Sequence, residues 1–331
     1  MIKKPYLMFI GDVTTALYAK TASGVKYWRP EQAAGQFRFP GGVDLGLPDY
    51  TMKEAAQAGL QTILIGVAPQ GGKLPQAWQD FLVVGLEVGM DIASGLHVRL
   101  AEIPALKAAA EENNRQIVDV RFPTQNFNVG TGAPRSGKRL LTVGTDCAVG
   151  KMFVTLALEQ EMKKRGILAS FRATGQTGIL IAGSGVSVDA VVSDFISGAA
   201  EYLSPKNAPD HWDLIEGQGS LFHPAYAGVS LGLLHGSQPD AIVVCHQAGR
   251  ENVSGLEGYP LPSLKECIAL NLQMGRRTNP RITCVGIGIN TASLNEAAAL
   301  DYLKAAEDDT GLPCVDPLRT GVGAIVDNMG L

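Results

Sequence analysis

The chain has 331 residues, 46% hydrophobic and 18% charged, with a formal net charge of −4. That is enough for two domains with sizeable cores, and it lacks the basic excess a nucleic-acid partner requires. No run of about 18 apolar residues occurs, so no membrane span is expected. The five cysteines, Cys147, Cys245, Cys267, Cys284 and Cys314, are odd in number, widely spaced and without a C-x-x-C. This argues against a disulfide framework or a zinc knuckle and fits a reducing cytoplasm.

Residues 6–13, YLMFIGDV, predict a buried strand ending at Gly11-Asp12. The apolar stretch after Lys3 and Lys4 is too short for a signal peptide. Residues 35–50, with Gly35, Pro40, Gly41, Gly42, Gly46 and Pro48, predict a loop. A helix over 52–58 is closed by Gly59, a strand spans 61–65, and a turn rich in Gly and Pro spans 66–75. Helices are expected over 76–88 and 103–113, then a strand over 116–120. Strands alternating with helices imply parallel pairing, so residues 1–125 predict a Rossmann-like α/β domain with ligands at the carboxyl ends of its strands. No complete G-x-G-x-x-G appears, and no dinucleotide is assigned. Residues 122–138 are polar and rich in Gly and Pro, with a linker expected at 126–138.

A second α/β domain is expected over 139–331. Its first strand, RLLTV, runs into GTDCAVGKM at 144–152. An apolar strand, a Gly-containing loop and a Gly-Lys pair opening a helix form the layout of a phosphate-binding P-loop. Inward-facing N–H groups and the helix dipole attract phosphate, and Lys151 adds a full charge. Five residues separate Gly144 from Gly150 where the common pattern has four. Met152 stands where a Ser or Thr hydroxyl normally binds magnesium, and a thioether is a poor ligand for that hard cation. A phosphate or diphosphate bound without a metal is therefore expected.

The helix over 151–165 carries Val154, Leu158 and Met162 on one face and stops at basic residues before Gly166. A strand over 169–174 leads into a Gly-rich loop, GQTGILIAGSG, at 175–185, and a helix over 188–202 contains Asp189, Asp194 and Glu201. Residues 213–223, 240–245 and 282–289 supply further strands, a helix closes the core at 294–306, and the tail from 310 is rich in Gly and Pro.

Polar residues gather where these strands end, and in a parallel sheet all such ends share one edge. Glu216, followed by Gly-Gln-Gly, fits a general base or cation ligand, or a carboxylate capping nearby N–H groups. Asp194, inside a helix, reads equally as a base or a solvated acid. His223 and His246 are candidates to accept a proton in catalysis, or histidines satisfied by a hydrogen-bond partner. Arg172 suits a substrate carboxylate or a structural ion pair, with Thr174 and Gln176 beside it, and Arg250 is a weaker candidate of that kind. Cys147 lies in the loop, where the helix N-terminus lowers a thiol's pKa, though packing is the simpler role.

GTDCAVGKM and IEGQGSL at 215–221 resemble the phosphate loop and later acidic loop of dethiobiotin synthetase-like P-loop proteins. Together with RATGQTGILIAG (172–183), DAVVSDFISGAAE (189–201) and the N-terminal α/β domain, they resemble the bacterial D-glutamate N-acetyltransferase family. The resemblance covers the whole chain and is strongest over 139–223. It implies acetyl transfer from acetyl-CoA to the amine of D-glutamate. Multimers are common among enzymes of this size, so a homo-oligomer is expected in the cytoplasm that the cysteines fit. Residues 144–152 (Gly144, Thr145, Asp146, Cys147, Ala148, Val149, Gly150, Lys151 and Met152) would hold the CoA phosphates, with no metal required. Arg172, Thr174 and Gln176 would hold the substrate, and Glu216, Asp194 or His223 would act as base. Two alternatives stand beside it: an ATP- and magnesium-dependent ligase or kinase of the dethiobiotin synthetase type, and a nucleotide-sensing regulator.

Overall fold

A computed structural model of the chain describes residues 1–67 and 74–331, the side chains of Ala16 and Leu17 excepted. It divides into two compact units, one of residues 1–124 with 175–190, the other of residues 125–174 with 191–331.

The first unit is built on a five-stranded parallel sheet of β1 (Tyr6–Gly11), β2 (Ala33–Arg38), β3 (Thr62–Ile65), β4 (Asp91–Ser94) and β5 (Ile117–Asp119), in the order β2-β1-β3-β4-β5. β1 and β3 are buried along their whole length, as expected of apolar strands covered on both faces. The helices are α1 (Lys20–Trp28), α2 (Met52–Gln57), α3 (Gln76–Glu87) and α4 (Pro104–Glu112). α2 starts at a reciprocal cap between Thr51 and Glu54, and α4 starts with proline, whose missing N–H has no partner to lose there. The turn expected at 66–75 lies largely outside the described residues. Residues 33–38, expected in part as loop, pair with β1, and β4 was not evident because DIAS is short and polar at both ends.

The second unit holds six parallel strands: β6 (Lys138–Gly144), β7 (Ala169–Arg172), β8 (Trp212–Ile215), β9 (Ala241–Gln247), β10 (Thr283–Asn290) and β11 (Cys314–Val315). Their order is β11-β10-β9-β6-β8-β7. β6 is central, paired with β8 on one side and β9 on the other. α5 (Lys151–Lys164) follows the loop after β6 and buries Val154, Leu158 and Met162 as its spacing predicts. Within residues 175–185, expected as loop, α6 (Gln176–Ala182) buries Gly178, Ile179, Leu180 and Ile181 and ends at Gly183 in the left-handed region. Ile181 reaches Gly24 of α1, and Gly183 accepts the Ile2 N–H, so this segment belongs to the first unit and not to the second.

The helix expected over 188–202 is shorter. α7 (Ile196–Leu203) follows two 3₁₀ turns, Val188–Ala190 and Ser193–Phe195. α8 (Ala227–Ser237), α9 (Leu264–Gly275), α10 (Glu296–Thr310) and α11 (Gly323–Asn328) complete the unit. α9 opens on a second reciprocal cap, Ser263 with Glu266, and α10 on Asn295. No helix among the described residues is long and apolar enough to cross a membrane.

The stretch expected as a linker is docked on the second unit. Glu201 accepts the N–H groups of Thr131 and Gly132 at 2.9 and 2.8 Å. Arg135 donates to the carbonyls of Ser204 and Gly236. A Cβ on Gly198 would stand 1.7 Å from the Asn128 carbonyl oxygen, so only glycine admits this approach. Gly198→Ala is expected to destabilise the protein by about 1–3 kcal/mol as the segment is pushed off α7. A urea midpoint equal to wild type would show that the contact contributes nothing.

Candidate functional site

β6 lies where the strand order of its sheet reverses, β8 and β7 running outward on one side and β9, β10 and β11 on the other. A crevice opens at the carboxyl end of the strands at such a point. Residues 145–150 occupy it. Ala148 (φ 53°) and Gly150 (φ 99°) both take left-handed backbone, which turns N–H groups toward a common centre. For alanine that conformation costs about 1–2 kcal/mol. The amides of Ala148, Val149 and Gly150 have no acceptor among the described residues.

Lys151 curls back over this loop. Its Nζ donates to the Asp146 carbonyl at 2.8 Å. Its stem passes residues where no larger side chain fits: a Cβ on Gly217 would lie 3.0 Å from Lys151 Cδ and 1.7 Å from the Thr142 carbonyl oxygen. Burial holds the Lys151 ammonium below its ordinary pKa. Thr142 and Thr155 fix the base of the loop, sharing a 2.9 Å bond, while Thr142 accepts the Gly217 N–H. The neighbouring β8 is thereby tied to the loop it flanks.

Asp146 points inward and is fully buried. Its Oδ1 accepts the Cys147 N–H, and its Oδ2 accepts both the Ser254 N–H and Arg250 Nη1 at 2.8 Å. Arg250 also donates to the Cys147 carbonyl and to Gln247 Oε1. The guanidinium weakly proposed for a substrate therefore braces the loop against the end of β9. Cys147, half-buried, has its thiol pushed up chiefly by burial, which outweighs the cations of Lys151 and Arg250. That disfavours the thiolate an acyl carrier needs. Donor atoms of Asp146, Cys147 and His223 lie within 4.8 Å of one another. The set fits a metal poorly, because both Asp146 oxygens already accept N–H groups, one from a cation, and the thiol resists ionisation.

Of the expected base candidates, His223 is beside the loop. It is buried, packs at a tilt against Tyr226 with ring centroids 4.4 Å apart, and its Nδ1 accepts the Ala225 N–H at 3.1 Å. Glu216 is buried at the end of β8, where its Oε2 accepts the Thr174 N–H at 2.9 Å while its carbonyl accepts the Thr174 hydroxyl at 2.6 Å. This is the capping arrangement, joining the ends of β7 and β8. Asp194 is exposed on a 3₁₀ turn and makes no hydrogen bond or ion pair among the described residues.

Of the expected substrate ligands, Arg172 donates through Nε to Asp213 at 2.7 Å. Asp213 sits in the adjacent strand opposite Ser170 and is almost fully buried, so the structural ion pair is what forms. Thr174 stays at the strand ends, bonded by Glu216 and by Gln218 at 3.1 Å. Gln176 opens α6 in the first unit, against Gly95.

A chain of contacts beneath the loop links Thr145 to His246 and His246 to Tyr302. Tyr302 carried no signal in the sequence, being one aromatic on a helix face.

Residues 128–326 match the family model described as "Domain of unknown function (DUF1611_C) P-loop domain", and residues 32–123 match its companion, a "Rossmann-like domain". The chain belongs to the DUF1611 family. A crystal structure of a DUF1611 family protein from Anabaena variabilis is 34% identical, with a TM-score of 0.84 over 99% of both chains. A D-glutamate N-acetyltransferase from Tritonibacter scottomollicae is 52% identical over 99% of this chain and 98% of its own. A second protein of that name, from a Pseudoalteromonas species, is 48% identical over 99% of each. The resemblance drawn from residues 139–223 is thus borne out along the whole DUF1611 chain, as is the pairing of a Rossmann-like with a P-loop domain.

Burial, with a smaller contribution from Arg250, holds His246 below its ordinary value of 6.5. The folded state thus binds this proton less readily than the unfolded state, and stability falls as pH drops below about 6.5. His246→Gln cannot titrate, so it is expected to lose less stability than wild type between about pH 7.5 and about pH 5.5. Urea denaturation at both values checks this, and equal losses in the two proteins would refute it.

Proposed function

We propose that this protein transfers an acetyl group from acetyl-CoA to the amine of D-glutamate. The observation that carries the reading is kinship over the full chain, at 52% and 48% identity, with proteins of that named activity. The loop geometry supplies a physical basis. Coenzyme A presents phosphates, and residues 144–152 offer free amides at 148–150, a helix N-terminus and the Lys151 ammonium. Asp146 is neutralised by Arg250, so the loop keeps a net positive character without a magnesium ligand at Met152.

The acceptor amine attacks the thioester carbonyl carbon, and negative charge develops on its oxygen. In neutral His223 the Ala225 N–H occupies Nδ1, so the ring proton resides on Nε2. His223 is thereby a donor at Nε2 and less suited to act as base. Glu216 and Thr174 hold the ends of β7 and β8 in place, with the half-buried Gln218 amide at the edge where the acceptor would lie. A reducing cytoplasmic setting fits the five free cysteines.

Release of free thiol from acetyl-CoA across a panel of D- and L-amino acids tests the reading, with D-glutamate expected to be the best acceptor. No release with any of them, together with ATP hydrolysis in magnesium, would favour the ligase or kinase alternative. Lys151→Ala is expected to raise the KM for acetyl-CoA about 10–100-fold, the loss of a charge-assisted bond to phosphate. An unchanged KM would remove the phosphate role.

A further inference from the structure

The phosphate loop contains one acid, Asp146, and its counter-ion comes from a distant part of the chain. Arg250 lies just beyond the end of β9. Its Nη1 donates to Asp146 Oδ2 and to the Cys147 carbonyl, both at 2.8 Å. Its Nη2 donates to Gln247 Oε1. The Ser254 N–H shares Asp146 Oδ2, and the Cys147 N–H takes Oδ1. The guanidinium is 17% exposed and the carboxylate fully buried, so the pair is largely shielded from water. Ala148 follows Cys147 directly, so the cation contacts the loop one residue before its open amides.

In nucleotide-binding loops of this layout a magnesium ion bridges protein oxygens and the phosphates. Magnesium demands oxygen ligands in a near-octahedral array. Here the residue after Lys151 is Met152, which offers sulfur. Glu216 Oε2, at the end of β8, accepts the Thr174 N–H. Asp146 is the one carboxylate within the loop, and Arg250 holds it. A guanidinium is always charged and offers donors only. A magnesium ion reaching Asp146 would have to pull Arg250 from three acceptors and then lie beside both Arg250 and Lys151. Arg250 thus supplies a fixed positive charge where a nucleotide site takes up a mobile one.

Phosphate ligands differ in how they hold magnesium. The diphosphate of coenzyme A is esterified at both ends and chelates the ion weakly. ATP ends in a free phosphate and carries the ion with it. We propose that Arg250 is a specificity-determining residue, through which the loop accepts metal-free phosphate and discriminates against the magnesium complex of ATP. The inference rests on the phosphate-binding part of the acetyl-transfer reading. Specificity is a difference of affinities, and here it comes from penalising the competitor's metal. A loop with the layout of a nucleotide site can then take an acyl carrier in the presence of ATP. No step of acetyl transfer is assigned to Arg250.

The test is calorimetric binding of CoA and of ATP, each in EDTA and in excess magnesium. The proteins are wild type, Arg250→Gln, Met152→Thr and the double variant, all as full chains. In wild type the Kd for CoA is expected to change less than about threefold between the two buffers, and ATP to bind about tenfold more weakly in magnesium. Met152→Thr restores a hydroxyl but keeps Arg250, so magnesium is expected still to weaken ATP binding. In Arg250→Gln the penalty is expected to fall below about threefold, and in the double variant magnesium is expected to tighten ATP binding. Tighter ATP binding in magnesium by wild type or by Met152→Thr would overturn the proposal. So would an equal penalty in wild type and Arg250→Gln, or a wild type that binds CoA but no ATP in EDTA. Should Arg250→Gln fail to fold, wild type and Met152→Thr decide. No CoA binding in either buffer would overturn the phosphate reading of the loop and this inference with it. CoA binding without thiol release on any amino acid would overturn acetyl transfer alone.

Discussion

A lysine ammonium folded into its own loop governs the rest of this site. Lys151 is 7% exposed, and its Nζ donates to one carbonyl, that of Asp146. An ammonium removed from water is destabilised unless an anion or a set of acceptors replaces its hydration. The loop places that charge beside amides with no acceptor of their own and beside the start of α5, which add positive potential. A phosphate placed there would relieve the ammonium and the amides together.

Holding such a loop open takes buried polar bracing from several directions. Asp146 is turned inward and paired with Arg250, so the one acid in the loop does not cancel Lys151. Thr142 and Thr155 brace the underside, and Gly217 lets β8 approach so closely that its N–H reaches Thr142. The strained Ala148 backbone persists because these contacts over-determine it. The braces come from β6, α5 and the segments after β8 and β9, which is why the crevice belongs to the sheet order and not to any one segment.

The register of the sheet also explains why two attractive polar residues have structural partners. β7 and β8 run parallel with Ser170 beside Asp213 and Arg172 beside Ile215. Side chains two residues apart on a strand share a face, so Arg172 and Asp213 meet. Glu216 and Thr174 are likewise the first residues beyond two paired strands, and they satisfy each other. Strand ends in a parallel sheet gather polar groups, but adjacency in the sheet decides which remain for a ligand.

Much of this was legible in the chain itself. The apolar run before Gly144, the Gly150-Lys151 pair, the Met152 departure and the amphipathic α5 are local features, dictated by strand and helix periodicity and by the chemistry of a few side chains. The alternation of strands and helices likewise implied two parallel sheets. Other features depended on contacts distant in sequence. Residues 175–185 read as loop because a short run flanked by glycine has no period of its own, and Ile181 against Gly24 is what makes it a helix of the first unit. Residues 126–138 read as a linker because their composition is polar, yet Glu201 and Gly198 hold them down. Tyr302 meets His246 across 56 positions of sequence. Periodicity and composition report how a residue relates to its neighbours in the chain, whereas hydrogen-bond partners and close glycine contacts are settled only when separate elements pack.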